Sequence, residues 1–98
     1  MREMTAMDDA KNKLIIDNIP LAYYMIHKYY PTFSKDDDII QAALLGLTKA
    51  SKKFDERKGK FSTYAGVIIR NEIAKELKRR LKEQANVSLD MLLEGEQI

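Results

Sequence analysis

Aromatic and cationic residues alternate along a short stretch in the middle of the chain. The aromatic members are Phe54, Phe61 and Tyr64, and the cationic members are Arg57, Lys58 and Lys60. Aromatic rings stack on bases that have left a duplex, at about 1–3 kcal/mol per base. Cations bind the phosphates of the same strand. The stretch therefore predicts a surface for single-stranded nucleic acid.

The alternative is that these rings belong to the hydrophobic core. Phe54 continues the apolar stripe of the helix that precedes it, so we predict a core position for Phe54. Tyr64 lies off the i, i+4 stripe that includes Ala65, Ile69 and Ile73. We therefore predict that the Tyr64 ring is exposed.

The charge of the chain is concentrated in one segment. The 98 residues have a net charge of +2, but residues 51–82 hold eleven Lys or Arg against four Asp or Glu. Residues 83–98 hold four acidic residues and no basic one. A cationic segment of this kind is typical of phosphate contacts, and a solvated helix face is the alternative.

No set of residues converges on catalysis or on a metal site. His27 is the single histidine and cysteine is absent, and Gly59 lacks the spacing of a nucleotide-binding loop. Asp36, Asp37 and Asp38 lack the alternating spacing of a calcium loop, so we interpret them as residues that stabilise a helix start. We predict a protein that is not an enzyme and has no cofactor.

The spacing of the apolar residues predicts an all-α fold. They recur at intervals of three and four without strand-like alternation, which indicates a small bundle of three main helices. The first helix, about residues 8–30, is expected to be kinked or split near Pro20. We predict a lead-in at residues 1–13, one helical domain at residues 14–84 and an acidic linker or tail at residues 85–98.

Three local features predict how the other two helices begin and pack. Ser34 is the predicted N-cap of the second helix, with Asp37 as its capping-box partner, and Ser62 is the predicted cap of the third. Gly46 costs roughly 1 kcal/mol against alanine inside a helix, so a close helix–helix contact is expected there. The core stripe of the third helix is expected to include Leu77 and Leu81.

The second helix also predicts a surface for a protein partner. It has an acidic start, followed by Gln41 and by Leu44, Leu45 and Thr48. Two adjacent leucines cannot both point into one small core, so we expect one of them to be exposed, as at an interface. Burial under the first helix is the alternative.

Several ordered blocks of the sequence resemble region 2 of bacterial RNA polymerase sigma factors, over about two thirds of the chain. The blocks are NIPL at 18–21, KY at 28–29, DIIQ at 38–41, GL at 46–47, KFD at 53–55, FSTYA at 61–65 and IRNEI at 69–73. The resemblance implies a compact helical domain whose second helix docks on the clamp helices of the polymerase β′ subunit. It also implies that the third helix recognises the minus-ten promoter element, read as melted, non-template single strand.

The resemblance and the exposed face together give two sets of expected site residues. The polymerase-binding set is Asp38, Gln41, Leu44, Leu45 and Thr48. The DNA-binding set is Phe54, Asp55, Lys58, Lys60, Phe61, Tyr64, Val67, Ile68, Arg70, Asn71 and Lys75. Such a protein is expected in the bacterial cytoplasm, at the nucleoid. Since no apolar run is long enough to span a bilayer, we expect no membrane contact.

The chain departs from the pattern of primary sigma factors in two places. Val67 and Ile68 stand where those proteins carry two tryptophans, and Lys60 alone separates Gly59 from Phe61 where they usually have two residues. These differences favour an alternative-type sigma factor. A small sigma-derived regulator that binds DNA or protein without directing initiation is the second hypothesis.

A helix-turn-helix for the upstream promoter element is expected in a sigma factor, and none follows in this sequence. We therefore expect either a fragment of a longer sigma factor or a split subunit that carries region 2 alone. A split subunit would require a separate subunit for the upstream element. An anti-sigma factor is a further expected partner.

Overall fold

The computed structural model describes the backbone of residues 6–97 and the side chains of residues 9–85. Its four α-helices are α1 (Ala6–Asp17), α2 (Ile19–Tyr29), α3 (Asp37–Lys53) and α4 (Phe61–Gln97). Two single-turn 3-10 helices, Pro31–Phe33 and Glu56–Lys58, lie before α3 and before α4. Between residues 6 and 97 there is no strand, which confirms the all-α prediction.

The predicted first helix is split at Asn18, two residues before Pro20. α1 ends one residue before Asn18, and Pro20 lies in the first turn of α2, where the missing N–H of proline has no helical partner to lose. The Asn18 side chain donates a hydrogen bond to the Leu14 carbonyl at 2.9 Å and thereby closes the end of α1. α2 ends before Pro31, as the sequence predicts.

The predicted cap of α3 is wrong by two residues. Asp36 is the N-cap, and its carboxylate accepts hydrogen bonds from the backbone N–H groups of Asp38 and Ile39 at 3.0 and 3.2 Å. Ser34 has helical backbone angles because it ends the preceding 3-10 helix. An N-cap requires extended angles, which Asp36 has.

The predicted cap of α4 is also wrong. The helix begins at Phe61, so Ser62 already lies inside it. The reason is Gly59, whose φ of 129° reverses the chain early and leaves only Lys60 before the helix. Residues other than glycine are strained at such a φ, so this turn depends on Gly59.

The core lies where α2, α3 and α4 meet. Its buried apolar members are Ala22, Met25, Ile26, Ile39, Ala43, Leu47, Ala50, Ala65, Ile69 and Ile73. A Cβ atom on Gly46 would lie 2.7 Å from the Ile69 Cα atom and 3.1 Å from the Ile68 carbonyl oxygen. The close contact predicted at Gly46 is therefore present, between α3 and α4.

The core stripe of α4 ends earlier than predicted. Leu77 is half-buried against the core, but Leu81 is 65% exposed. α3 and α4 are antiparallel, and the first residues of α3 lie opposite Arg80. Leu81 therefore lies beyond the first residue of α3 and has no residue of α3 opposite it.

The backbone of α4 continues through the segment predicted to be an acidic linker. It passes Ser88 without interruption. The predicted division into residues 1–13, 14–84 and 85–98 stays a prediction, and residues 1–5 and 98 lie outside the described residues. No helix in the described part of the chain has the length and apolar character needed to cross a bilayer.

Candidate nucleic-acid and docking interfaces

A hydrogen-bonded turn lies between α3 and α4. The Asp55 carboxylate caps the 3-10 helix by accepting the Arg57 backbone N–H at 3.0 Å, and it also accepts from the Arg57 guanidinium at 3.0 and 2.9 Å. The Arg57 side chain lowers the pKa of the Asp55 carboxyl. Asp55, predicted to contact DNA, therefore shapes the turn, and Lys58 and Lys60 beside it are exposed.

Three aromatic rings pack together beside this turn. The Phe54 ring lies edge-on to Phe61, with ring centroids 5.1 Å apart, and 5.9 Å from the Tyr64 centroid. The core position predicted for Phe54 is wrong, because α3 ends at Lys53 and the extended backbone of Phe54 turns its half-buried ring onto its two neighbours. Tyr64 is 36% exposed, as predicted.

The Tyr64 ring lines a concavity of about 410 Å³, which we call the Tyr64 pocket. Its lining residues are Lys58, Gly59, Lys60, Thr63, Tyr64, Val67 and Ile68. Five residues of the predicted DNA-binding set therefore lie together. Val67 is 58% exposed, whereas Ile68 is half-buried against the core.

A second concavity of about 330 Å³ continues along α4 from the Tyr64 pocket. It is lined by Tyr30, Val67, Arg70, Asn71 and Ala74, so Val67 belongs to both concavities. Arg70 and Asn71 are exposed there. The predicted DNA-binding residues from Lys58 to Asn71, except Phe61, thus line two adjoining concavities, whereas Phe61 packs against the core.

A separate groove between α3 and α4 contains part of the predicted docking set. The groove measures about 480 Å³ and is lined by Asp38, Gln41, Ala42, Leu45, Glu72, Lys75, Glu76 and Arg79. Leu45 is 49% exposed, which confirms that one of the two adjacent leucines is exposed. Leu44 is half-buried against the core, and the half-buried Thr48 donates its hydroxyl to the Leu44 carbonyl at 2.9 Å.

Lys75 lies in this groove and outside the face that carries the other predicted DNA-binding residues. Its ammonium is 3.1 Å from the Glu72 carboxylate, which also accepts from Lys49 at 2.9 Å. Glu72 is buried, and the Lys49 and Lys75 ammonium groups lower the pKa of its carboxyl. The two lysine ammonium groups together keep the buried Glu72 carboxylate charged.

Arg80 joins α4 to the start of α3. Its guanidinium donates two hydrogen bonds to the Asp36 carboxylate, both of 2.7 Å, and one to Glu76 at 3.0 Å. Asp38 lies 3.7 Å from the same guanidinium. The Arg80 hydrogen bonds lower the pKa of Asp36 to about 2. No local pattern signals this contact in advance, since the two residues are 44 positions apart.

The site residues predicted from the sequence also did not include the side chains of α2 that lie next to Arg70. The Arg70 guanidinium carbon lies 4.2 Å from the Tyr29 ring centroid, and the Lys28 ammonium lies 5.4 Å from the same centroid. One signal for these residues exists: positions 18–35 contain no Asp or Glu, so the acidic residues of the N-terminal third all precede α2.

An all-helical domain with a cationic, ring-bearing face and a separate groove beside an acidic helix start has the architecture of a sigma factor's second region. Comparison with protein families gives the same result. Residues 14–83 match the family described as Sigma-70 region 2, and the chain belongs to this family.

Curated relatives are sigma factors of several kinds. The chain is 42% identical over 67 residues to RNA polymerase sigma factor SigA of Nostoc sp., covering 67% of this chain and 17% of that protein. It is 36% identical over 81 residues to the RNA polymerase sigma-28 factor of Bacillus thuringiensis subsp. kurstaki, covering 82% and 34%. It is 34% identical over 83 residues to the RNA polymerase sigma-E factor of Clostridium acetobutylicum, covering 83% and 35%.

The chain spans about a sixth to about a third of the length of these three relatives. No solved structure gave a significant match.

Proposed function

We propose that this chain acts in transcription initiation as the region-2 domain of an alternative-type sigma factor. It docks on the clamp helices of the polymerase β′ subunit and holds the minus-ten promoter element as unpaired, non-template strand. The observation that carries the proposal is the exposed Tyr64 ring, which lines a concavity together with Lys58 and Lys60.

The Tyr64 pocket suits capture of one base. A base that leaves the duplex loses pairing and stacking worth a few kcal/mol, and stacking on an aromatic ring returns about 1–3 kcal/mol. The Phe54 ring packs against the Tyr64 ring and is itself packed edge-on by Phe61, which helps to hold the Tyr64 ring in place before a base arrives. The two lysines bind the flanking phosphates.

Val67 and Ile68 bear on how the duplex opens. Neither side chain is an aromatic wedge, and Ile68 is partly committed to the core. We propose that this domain captures bases which the polymerase, or an easily melted promoter sequence, has already released. Preference for single strand over duplex follows from that mechanism.

The α3–α4 groove is the proposed docking site. Leu45 offers an exposed apolar anchor, and Asp38 and Gln41 supply polar groups beside it. An apolar centre with a polar rim is the usual anatomy of a protein interface. Lys75 belongs to this interface in the proposal, because it lines the groove.

Binding to labelled oligonucleotides tests the DNA part of the proposal by fluorescence anisotropy. We expect tighter binding to single-stranded minus-ten-like sequence than to the matching duplex. Tyr64→Ala is expected to weaken single-strand binding about tenfold, in line with the loss of one stacked base, whereas Tyr64→Phe retains the ring and the affinity. Equal affinity for single strand and duplex, whatever the sequence, would instead support the sigma-derived regulator.

A further inference from the structure

The second half of α4 extends beyond the rest of the bundle. α4 has 37 residues, whereas α3, which packs against it, has 17. At 1.5 Å per residue, the two helices are about 55 and about 25 Å long. The first turn of α3 lies opposite Arg80, so α4 projects past α3 from Leu81 onward. The protein is accordingly 65 Å long but only 33 and 25 Å across.

The projecting part of α4 has the apolar spacing of a helix that packs against another one. Leu81 follows Leu77 by four residues, and the same spacing continues to Ala85, Leu89 and Leu93. Leu77 is half-buried against the core, but Leu81 is 65% exposed. Helices in proteins are stabilised mostly by the packing of such an apolar face. This stripe therefore calls for a partner.

Two adjoining segments of α4 have opposite charge. The basic segment, residues 75–82, holds five Lys or Arg and one Glu, and the acidic segment, residues 83–98, holds four Asp or Glu and no Lys or Arg. Arg79 and Arg80 already pair with acidic side chains of the same chain. Lys78 and Lys82 are exposed, and no carboxylate within residues 9–85 pairs with either of them. These two lysines are available to a partner's carboxylates.

A second copy of the chain supplies what both segments lack. α4 is continuous to Gln97, so the acidic segment of one molecule lies in line with its own basic segment and cannot fold back on it. Two copies in antiparallel orientation place each acidic segment along the other copy's basic segment, and they bring the two apolar stripes together around Ala85. A parallel pair would place like charges side by side, which is unfavourable. The surface is thus self-complementary, as the interface of a two-fold dimer requires.

We propose that the projecting part of α4 is a homodimer interface in which two chains pair antiparallel about Ala85. Leu81 of each copy packs on apolar residues of the other copy's acidic segment, and Lys78 and Lys82 pair with the carboxylates of that segment. None of these four residues lines the Tyr64 pocket or the docking groove. The inference therefore does not rest on the proposed function.

Sedimentation equilibrium of the full chain, over a series of protein and salt concentrations, tests the interface. We expect a monomer of 11.3 kDa to convert to twice that mass as the protein concentration rises. High salt is expected to weaken association, because it screens exposed charges. Leu81→Ala is expected to weaken association about tenfold, since the dimer contains this interface residue twice. Leu81 is exposed in the monomer, so the variant should unfold at the wild-type temperature at low protein concentration.

Charge reversal tests the antiparallel orientation. Lys78→Glu/Lys82→Glu and Asp90→Lys/Glu94→Lys are each expected to be monomeric, because each places like charges at both contacts of the dimer. In an equimolar mixture of the two variants both contacts again join opposite charges. The mixture is therefore expected to form a heterodimer. A variant that merely failed to fold would not be rescued by mixing.

Lys13→Glu/Lys53→Glu is the matched control, since it reverses two exposed lysines that lie on α1 and at the end of α3. It is expected to dimerise as wild type does. A chain that stays monomeric at every concentration in low salt overturns the proposal. A dimer that is insensitive to Leu81→Ala, or a mixture that stays monomeric, overturns it as well. Single-strand binding and its loss in Tyr64→Ala are measured separately, so the proposed function stands or fails independently.

Discussion

Gly46 sets the distance between the two long helices. Its missing side chain lets the backbone of α4 approach so closely that an added Cβ would lie 2.7 Å from the Ile69 Cα atom. Backbone atoms in two packed helices cannot move aside as a flexible side chain can. The residue therefore sets the separation of α3 and α4, between which the docking groove lies.

Gly46→Ala is expected to lower the free energy of unfolding by about 1–2 kcal/mol. Overpacking costs about 1–3 kcal/mol, and the 2.7 Å approach to the backbone of Ile69 places Gly46 in the upper part of that range. Roughly 1 kcal/mol is offset by what alanine gains over glycine inside a helix. Urea denaturation followed by circular dichroism measures the difference. Gly66→Ala is the matched control, because its Cβ would meet only the flexible end of Met25 at 3.4 Å; there we expect a small gain. A Gly46→Ala protein as stable as wild type would contradict the close approach.

At the scale of elements, one ion pair ties the start of α3 to α4. Asp36 caps α3 and at the same time accepts two hydrogen bonds from Arg80. Asp38, two residues later, lines the docking groove. The ion pair therefore fixes the position of the first turn of α3 and so helps to place Asp38 and Gln41 at the docking groove.

This ion pair predicts a pH dependence of stability. The pKa of Asp36 is lowered from 3.8 to about 2 in the folded protein, so the folded state binds its proton less readily than the unfolded state. The stabilisation is fully present above pH 3.8 and is lost as the pH falls towards 2. Arg80→Ala is expected to remove the Arg80 share of this dependence, as measured by urea denaturation across that pH range.

Arg79→Ala is the matched control for Arg80→Ala. Arg79 pairs with Glu76 and Glu83, which both lie on α4, so it joins no second helix. We expect the Arg79 variant to keep the contribution of Asp36 to the acid-dependent loss of stability. If the two variants lose stability in the same way as the pH falls, the ion pair between Asp36 and Arg80 makes no specific contribution to the acid-dependent loss of stability.

At the scale of the whole molecule, the two proposed surfaces are formed by different sides of α4. The Tyr64 pocket lies at its first turns beside the 55–60 turn, and the docking groove lies further along, against the first half of α3. The pocket and the groove share no lining residue. Variants of one surface should therefore leave the other unaffected.

A crossed experiment tests this separation. Asp38→Ala and Gln41→Ala are expected to weaken capture of core polymerase, or of isolated β′ clamp helices, and to leave single-strand affinity unchanged. Tyr64→Ala is expected to do the reverse. Asp38 and Gln41 lie on the polar rim beside Leu45, where truncation costs less than at the centre of an interface, so we expect a loss of about a few-fold in affinity. Capture that is absent, or insensitive to both α3 variants, would count against the docking proposal.

Local patterns in the amino-acid sequence were sufficient to predict the helical elements and most of the exposed ring face. The 3.6-residue periodicity of apolar residues gives the helices, Pro20 and Pro31 divide them, and the position of Tyr64 off the core stripe makes its ring exposed. Gly46 signalled a close contact in advance because its cost inside a helix requires compensation. Each of these features depends on neighbours a few residues away.

Which distant charges meet, and where the core ends, depends on the packing of the helices. Arg80 reaches Asp36, Lys75 enters the docking groove, Arg70 covers Tyr29 and Leu81 is left in solvent. All four outcomes depend on the length over which α4 packs against α2 and α3 and on the angle at which the helices cross. That crossing is fixed by backbone contacts such as Gly46 on Ile69, and a pattern read along one helix holds no information about the side chains of the next.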